Sequence, residues 1–239
     1  MTARLAAILL LVLGAASPAG ATAGHDYRRG EYLVIDGGKA PNGRLAISAG
    51  LSGKDGPYLF LTTEPAHKVA GRLDGIAPDD LLDTAPEGFH AVWSSDSLRV
   101  AVLFRSDRHV LEMRVYTVDG RNARLVSGPD LLDDAIKGRQ FSLDDYNIRA
   151  RTFQLSWQGP QQFTVIAKWL YDAPDRRLAA ALGAYAKESP NTSQTSTYDN
   201  GKPVAWTFVD IAINATCQLG PNATYHIVDK TPGRFGWDD

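Results

Sequence analysis

The clearest indication of the fold class of this 239-residue chain lies in residues 89–118, FHAVWSSDSLRVAVLFRSDRHVLEMRVYTV. Within residues 98–105, the apolar side chains Val100, Val102 and Phe104 fall on one side of an extended backbone and the flanking arginines fall on the other. A period of two indicates a β-strand with one buried face. The sequence therefore predicts a strand here.

The residues on either side extend this strand into a meander. Residues 110–118 repeat the alternation, with Glu112 and Arg114 on the polar side, and the polar turn 106–109 joins the two runs as an antiparallel hairpin. Residues 89–93 supply a third strand before a turn rich in serine. Three consecutive antiparallel strands are predicted.

Strands are predicted along most of the remaining chain. Residues 152–157 and 163–171 form a second predicted hairpin, and residues 204–217 and 224–228 form a third. Weaker strand patterns, separated by Gly, Pro and Asn clusters, occupy 32–35, 44–48, 58–62 and 67–73.

One amphipathic helix is predicted near residues 175–187. Leu178, Leu182 and Tyr185 share one stripe of that helix, and a proline follows at position 190. Two shorter segments that begin with proline, 78–83 and 129–136, predict single helical turns.

The expected fold class is mainly β, either an antiparallel meander or sandwich or an irregular propeller-like arrangement, with that one helix. Residues 24–239 are expected to form a single β-rich domain, because no linker is long enough to separate two cores. The polar segment 188–201 is predicted to be a long surface loop.

The N-terminus has the layout of a secretory signal peptide spanning residues 1–23. Arg4 precedes the apolar run 5–13, and the small residues Ala21 and Ala23 flank one position of a cleavage site. The apolar run is shorter than the roughly 20 residues that cross a bilayer. Cleavage after Ala23 and a periplasmic or secreted location are predicted.

Cysteine usage refines that location. Cys217 is the single cysteine and cannot form an intrachain disulfide, whereas secreted eukaryotic domains of this size commonly carry paired cysteines. A bacterial periplasm is therefore favoured. Gly24, not cysteine, follows the predicted cleavage site, which excludes a lipid anchor attached at that position.

The charge balance argues against nucleic acid as a partner. The chain has 25 Lys and Arg against 27 Asp and Glu, a formal net charge of −2. Proteins that bind nucleic acid gain most of their affinity by neutralising several phosphates with basic side chains. No basic excess is available here for that purpose.

The segment 89–127 resembles one blade of the β-propellers related to the Tol-pathway periplasmic protein. The resemblance rests on FHAVWSSDSLRVAVLF at 89–104, LEMRVYTVDG at 111–120 and ARL at 123–125. The sequence of a blade in that family commonly contains, in order, an aromatic residue or Trp-Ser, a polar turn with Asp, an apolar strand, and a strand that ends in Asp-Gly. The resemblance implies four-stranded blades that bind proteins or, in some relatives, flank a hydrolase domain.

No catalytic, metal or cofactor motif is recognisable in the sequence. The five histidines lack the close spacing of metal ligands, and the nearest approach to a serine-hydrolase elbow, residues 50–53, has the wrong spacing. The doublets 79–80, 133–134 and 144–145 lack the alternating acids of a calcium loop. We expect no catalytic residue, no bound metal and no cofactor.

The five tryptophans divide into two groups. Trp93, Trp157 and Trp169 are in phase with the apolar faces of their strands, which predicts that they pack in the core. Trp206 and Trp237 lie outside those patterns and are the predicted aromatic binding patch.

The sequence favours an exported, non-catalytic protein with a binding or structural role toward another envelope protein or envelope component. One alternative is a periplasmic hydrolase that draws its acid and base from dispersed strand-end carboxylates or from His90 and His109. A second alternative is a carbohydrate-binding module that uses an exposed pair of aromatic side chains.

Overall fold

The computed structural model is mainly β, as the sequence predicts. No helix among the described residues is long and apolar enough to cross a membrane. The structure describes residues 22–52, 56–138, 142–143, 146–173, 175–190, 197–199, 202–204 and 207–236.

A first antiparallel meander forms the N-terminal part of the fold. Its strands pair in chain order, and the weak strand patterns of this region are confirmed. Strand β2 is buried along nearly its whole length, which places it at the centre of the meander. The four strands are β1 (Tyr32–Lys39), β2 (Leu45–Leu51), β3 (Pro57–Thr63) and β4 (Lys68–Arg72).

A second antiparallel meander follows, and it contains the three strands predicted for residues 89–118. It joins the first meander through one parallel pair, Asp36 with His90. A polar turn at 94–98 and a tight turn at 108–109 connect its first three strands. Its strands are β5 (Phe89–Trp93), β6 (Arg99–Asp107), β7 (Val110–Val118) and β8 (Ala123–Leu125).

A third group of strands completes the main sheet. The predicted hairpins are present, and β10 pairs with both β9 and β14 along its length. The strands are β9 (Asn147–Trp157), β10 (Gln162–Ala173), β11 (Ala186–Pro190), β14 (Thr207–Gly220) and β15 (Thr224–Pro232); β12 (Thr197–Asp199) and β13 (Lys202–Val204) form a separate hairpin.

The second meander lies between the two others in the sheet, and its strand β6 is buried on both faces from Val100 to Phe104. Val100 and Phe104 belong to the hydrophobic cluster shared with the first meander, whereas Ala101 and Val115 belong to the cluster shared with the third group. The expectation of one buried face for β6 is therefore wrong. Alternation still sets the direction of each side chain, but the opposite face of β6 carries Ala101 and Leu103, which are also buried.

The amphipathic helix is shorter than the predicted 175–187. Helix α2 spans Arg177–Leu182, and its stripe residues Leu178 and Leu182 are buried as expected. Gly183 ends the helix at a φ of 56°, a left-handed conformation that glycine adopts without strain. Residues 186–190 then pair with β14, because a sheet edge offers them a complete hydrogen-bond ladder.

The two predicted helical turns are present as the short helix α1 (Leu131–Ala135) and a single turn at Pro78–Asp80. The predicted loop 188–201 is partly wrong, since residues 188–190 belong to β11 and 197–199 pair with 202–204. The other residues of that loop lie outside the described part of the chain.

Candidate binding groove between β7 and β9

The main sheet opens where β7 and β9 separate. The two strands share one parallel register pair, Val110 with Arg151, and the Arg151 N–H donates to the carbonyl of His109 at 2.9 Å. Beyond that pair the strands diverge, and a cavity of about 290 Å³ lies between them. Strand β8 covers the edge of β7 again from Tyr116 onward.

The backbone of Met113 faces this groove. Val118 donates its N–H to Leu98 beside β6, so even-numbered residues of β7 point their backbone groups toward β6. The backbone groups of the odd-numbered residues of β7 point away from β6, because the Val115 carbonyl accepts the Val126 N–H on that side. No described strand pairs with that side of Met113.

Two arginines flank one glutamate at the centre of the groove. Arg151 Nη2 donates to Glu112 Oε1, and Arg114 Nη1 lies 3.4 Å from Glu112 Oε2. Arg151 Nε donates to the Leu111 carbonyl at 2.8 Å, and Arg114 Nη1 donates to the Met113 carbonyl at 3.1 Å. Where β7 has no neighbouring strand, the two guanidinium groups thus donate the hydrogen bonds that its carbonyls would otherwise accept from a strand backbone.

Arg114 is the more accessible of the two arginines. Its side chain is 34% exposed, against 19% for Arg151. Its Nε donates to the Gly75 carbonyl at 3.1 Å, and its guanidinium lies 5.7 Å from the centre of the Phe104 ring. These contacts fix the charged group at the mouth of the groove, where it keeps donor capacity for a ligand.

Gly128 and Tyr225 form the opposite wall. A Cβ at Gly128 would lie 2.2 Å from the Tyr225 ring, so only glycine leaves room for the ring at this position. Tyr225 donates its hydroxyl to the Pro129 carbonyl at 2.8 Å, and its ring contacts Phe163 edge-on at 5.6 Å. Burial raises the pKa of Tyr225 to about 12, so its hydroxyl remains a neutral donor.

Asp130 also lines the groove, but its carboxylate is already used. It accepts hydrogen bonds from the N–H groups of Leu132 and Asp133 at 2.8 and 3.1 Å and caps helix α1. The carboxylate therefore fixes the start of the helix beside the groove. Phe153 adds an apolar surface next to Arg151.

Trp206 and Trp237 both lie outside the described residues, so their role as a binding surface stays a prediction.

The other three tryptophans are packing residues, as predicted. Trp169 is 2% exposed. The indole N–H of Trp93 donates to the Gly38 carbonyl at 2.9 Å, and that of Trp157 donates to the Val92 carbonyl at 2.9 Å. Trp157 therefore ties the third group of strands to the second meander.

The histidines named for a hydrolase lie outside this groove. His90 Nδ1 is 2.7 Å from Asp36 Oδ2, and both side chains are more than half exposed. His109 is exposed in the turn between β6 and β7. Neither lines the groove. Among the described residues, no group of three or more metal-ligating side chains is close enough to bind an ion.

Sequence reasoning placed Glu112 and Arg114 on the polar side of a strand but did not single out Arg151, Gly128 or Tyr225. A weak signal was available, because two charges interrupt an otherwise apolar strand. Contacts between residues far apart in the chain create the rest of the groove.

No protein-family model matches this chain, and no curated protein is significantly similar to it.

Proposed function

We propose that this is an exported, non-catalytic binding protein that holds an extended segment of another envelope protein in the groove between β7 and β9. The open backbone edge at Met113 carries the proposal. An exposed stretch of strand edge pairs readily with an added strand, and main-chain hydrogen bonds then supply affinity.

The dimensions of the groove suit a short segment. Residues 111–114 lie between the Val110–Arg151 pair and the bond of Val126 to Val115, and of these only Leu111 and Met113 point their backbone groups toward the groove. About four residues at roughly 3.3 Å each span about 13 Å. The Met113 N–H faces the groove, whereas the carbonyls of Leu111 and Met113 already accept bonds from arginines. The bound segment must therefore supply acceptors, which peptide carbonyls do.

The state of the charged groups supports binding rather than catalysis. Glu112 is paired with two arginines, and Asp130 is engaged by two backbone N–H groups. A general acid or base needs a proton site near the operating pH and free access to substrate. The raised pKa of Tyr225 keeps that hydroxyl protonated at neutral pH.

Export is supported by the pattern of residues 1–23 and by the state of Cys217. That cysteine is buried, and burial raises the pKa of its thiol to about 12. Reactive thiols need thiolate character and exposure. A buried, protonated Cys217 suits an oxidising compartment, because it resists mispairing there.

Site-specific photo-crosslinking in intact cells tests the proposal. A photoreactive residue replaces exposed Ser127 beside the groove, and the matched control replaces Leu98, which is 47% exposed on another surface. We expect one envelope protein to crosslink at position 127 and not at 98. Equal capture at both positions, or none at 127, would contradict the proposal.

A proline substitution links that crosslink to the open edge. Met113→Pro removes the N–H that faces the groove but no bond to β6, and proline is tolerated at strand edges. Met113→Leu keeps the N–H and a similar volume. The crosslink should disappear in Met113→Pro and persist in Met113→Leu. Equal crosslinking in the two variants would count against strand addition.

A further inference from the structure

Ala23, the last residue of the predicted signal peptide, is part of the folded protein. Its N–H donates to Asp83 Oδ1 at 2.8 Å. Its carbonyl accepts the N–H groups of Thr84 and Ala85 at 2.9 and 3.1 Å. These hydrogen bonds anchor Ala23 to a segment about sixty residues away in sequence.

The acceptor of the Ala23 N–H is a buried carboxylate. Asp83 is 2% exposed. Arg105 donates hydrogen bonds to both of its carboxylate oxygens, one from Nε and one from Nη2, the latter at 2.7 Å. A Cβ at Gly88 would lie 2.4 Å from the Asp83 Cβ, so the backbone also packs closely here. Hydrogen bonds to a charged group are stronger than those between neutral groups, so the loss of this donor is costly.

The residues after Ala23 continue along the same segment. The His25 N–H donates to Thr84 Oγ1 at 3.1 Å, and the Tyr27 hydroxyl donates to the Thr84 carbonyl at 2.8 Å. Tyr27 is 8% exposed, and burial raises the pKa of its hydroxyl. Residues 23–27 thus form one continuous strap over residues 83–85.

We infer that signal peptidase cuts after Ala21 and that the mature chain begins at Thr22. This inference rests on the proposed export. A residue removed with the signal peptide contributes nothing to the folded protein, whereas the backbone of Ala23 makes three hydrogen bonds in it, one of them to the Asp83 side chain. Ala19 and Ala21 also satisfy the small-x-small requirement of the peptidase.

The step is hydrolysis of the Ala21–Thr22 peptide bond by water. Hydroxide adds to the carbonyl carbon of Ala21, the carbon–nitrogen bond breaks, and the remaining proton goes to the new amine of Thr22. Ala23 keeps its peptide N–H for Asp83. A cut two residues later would remove Ala23 and leave the Asp83 carboxylate without that donor.

The mature N-terminus tests the inference directly. The full chain is expressed in a Gram-negative bacterium, purified from the periplasmic fraction, and analysed by N-terminal sequencing and intact mass. We expect Thr22 as the first residue. A start at Gly24 overturns this inference and leaves export standing. An uncleaved precursor in the cytoplasm overturns the proposed export and this inference together.

Two matched substitutions separate the two possible sites. Ala21→Leu places a bulky side chain at the residue before the proposed cut, and Ala23→Leu does so at the alternative. We expect Ala21→Leu to lose the Thr22 terminus and Ala23→Leu to keep it. Loss of processing in Ala23→Leu with normal processing in Ala21→Leu would overturn the inference.

Thermal unfolding supplies a measurement independent of the peptidase. Two proteins released from a cleavable fusion, one starting at Thr22 and one at Gly24, are compared. We expect the shorter protein to unfold about 3–8 °C lower, because it lacks the bonds of Ala23. The difference should shrink when both carry Asp83→Asn. Equal unfolding temperatures would overturn the inference.

Discussion

Two buried aspartates, Asp83 beside the second meander and Asp172 at the end of β10, each face one arginine, yet their surroundings differ. Both residues are 2% exposed. Both oxygens of Asp83 accept bonds from Arg105, and one also accepts the Ala23 N–H. Within the described part of the chain, Asp172 receives one bond, from Arg149 to Oδ2, and its Oδ1 is buried without a hydrogen-bond partner.

The difference shows that burial alone does not make an ion pair stabilising. A buried charge loses hydration, and only good geometry with every lone pair satisfied compensates for that loss. Arg105 is held closely enough that its hydrogen bond to Asp83 raises the pKa of the guanidinium. Arg149 is 42% exposed and keeps much of its contact with water. The two pairs should therefore respond differently to the same substitution.

The largest effect is expected from Asp83→Leu. It leaves Arg105, whose side chain is 20% exposed, without its carboxylate, and it removes the acceptor of Ala23. Breaking a buried ion pair from one side costs about 3–5 kcal/mol. The free energy of unfolding, measured by urea denaturation, should fall by that amount.

The double variant Asp83→Leu/Arg105→Met is the matched control. It removes both charges, so the stranded guanidinium no longer contributes and part of the lost stability should return. If adding Arg105→Met to Asp83→Leu lowers the free energy of unfolding further, by as much as an independent substitution would, the two residues are not coupled.

A slightly smaller loss of stability is expected from a substitution in the groove wall, where Gly128 packs closely against Tyr225 and no ion pair is involved. Gly128→Ala puts a methyl group 2.2 Å from the Tyr225 ring, whose hydroxyl is fixed on Pro129. Overpacking of this kind costs about 1–3 kcal/mol. Urea denaturation should show the loss, and the second substitution Tyr225→Ala should make Gly128→Ala harmless. A full additional cost of Gly128→Ala in the Tyr225→Ala background would contradict this explanation.

Asp172→Leu should change the free energy of unfolding by less than about 1 kcal/mol. The substitution removes a buried oxygen that lacks a donor, and the exposed Arg149 can turn to solvent. Replacing a buried charge by an apolar side chain of similar size is often neutral. A loss as large as that of Asp83→Leu would show that Asp172 is as well satisfied as Asp83.

Much of the fold could be predicted because alternation is a local signal. The hairpin of β6 and β7 and that of β9 and β10 follow from period two and from polar turns. Burial of β6 on both faces could not be predicted, because it depends on which layers stack on the meander. The length of α2 depends on the left-handed conformation of Gly183 and on the free edge of β14.

The candidate groove was less predictable than the strands that enclose it. Glu112 and Arg114 follow from the strand pattern, but their meeting with Arg151 depends on a parallel pairing between strands distant in sequence. Gly128 gives no sign in the sequence that Tyr225 will pack against it. Long-range pairing and close packing are set by the whole chain, which a local pattern does not encode.

The smallest expected effect is a pH dependence in the first meander, where His67 ties the turn between β3 and β4 to β1. His67 Nε2 lies 2.5 Å from the Tyr32 carbonyl, and Nδ1 lies 2.7 Å from Glu64 Oε1. Two acceptors favour the doubly protonated ring. The bond to the Tyr32 carbonyl, followed by that to Glu64, raises the pKa of His67 above its ordinary value.

The sign follows from a folded pKa that exceeds the unfolded one. The contribution of His67 is fully present below the ordinary value of about 6.5 and is lost as pH rises through the raised value. Urea denaturation at pH 5.5 and 8 should show a larger decrease in the parent than in His67→Asn, since asparagine tolerates the φ of 50°. The exposed residue His109 supplies the control, and His109→Asn should retain the parental decrease. If His67→Asn retains it as well, the tie to β1 does not depend on the protonated ring.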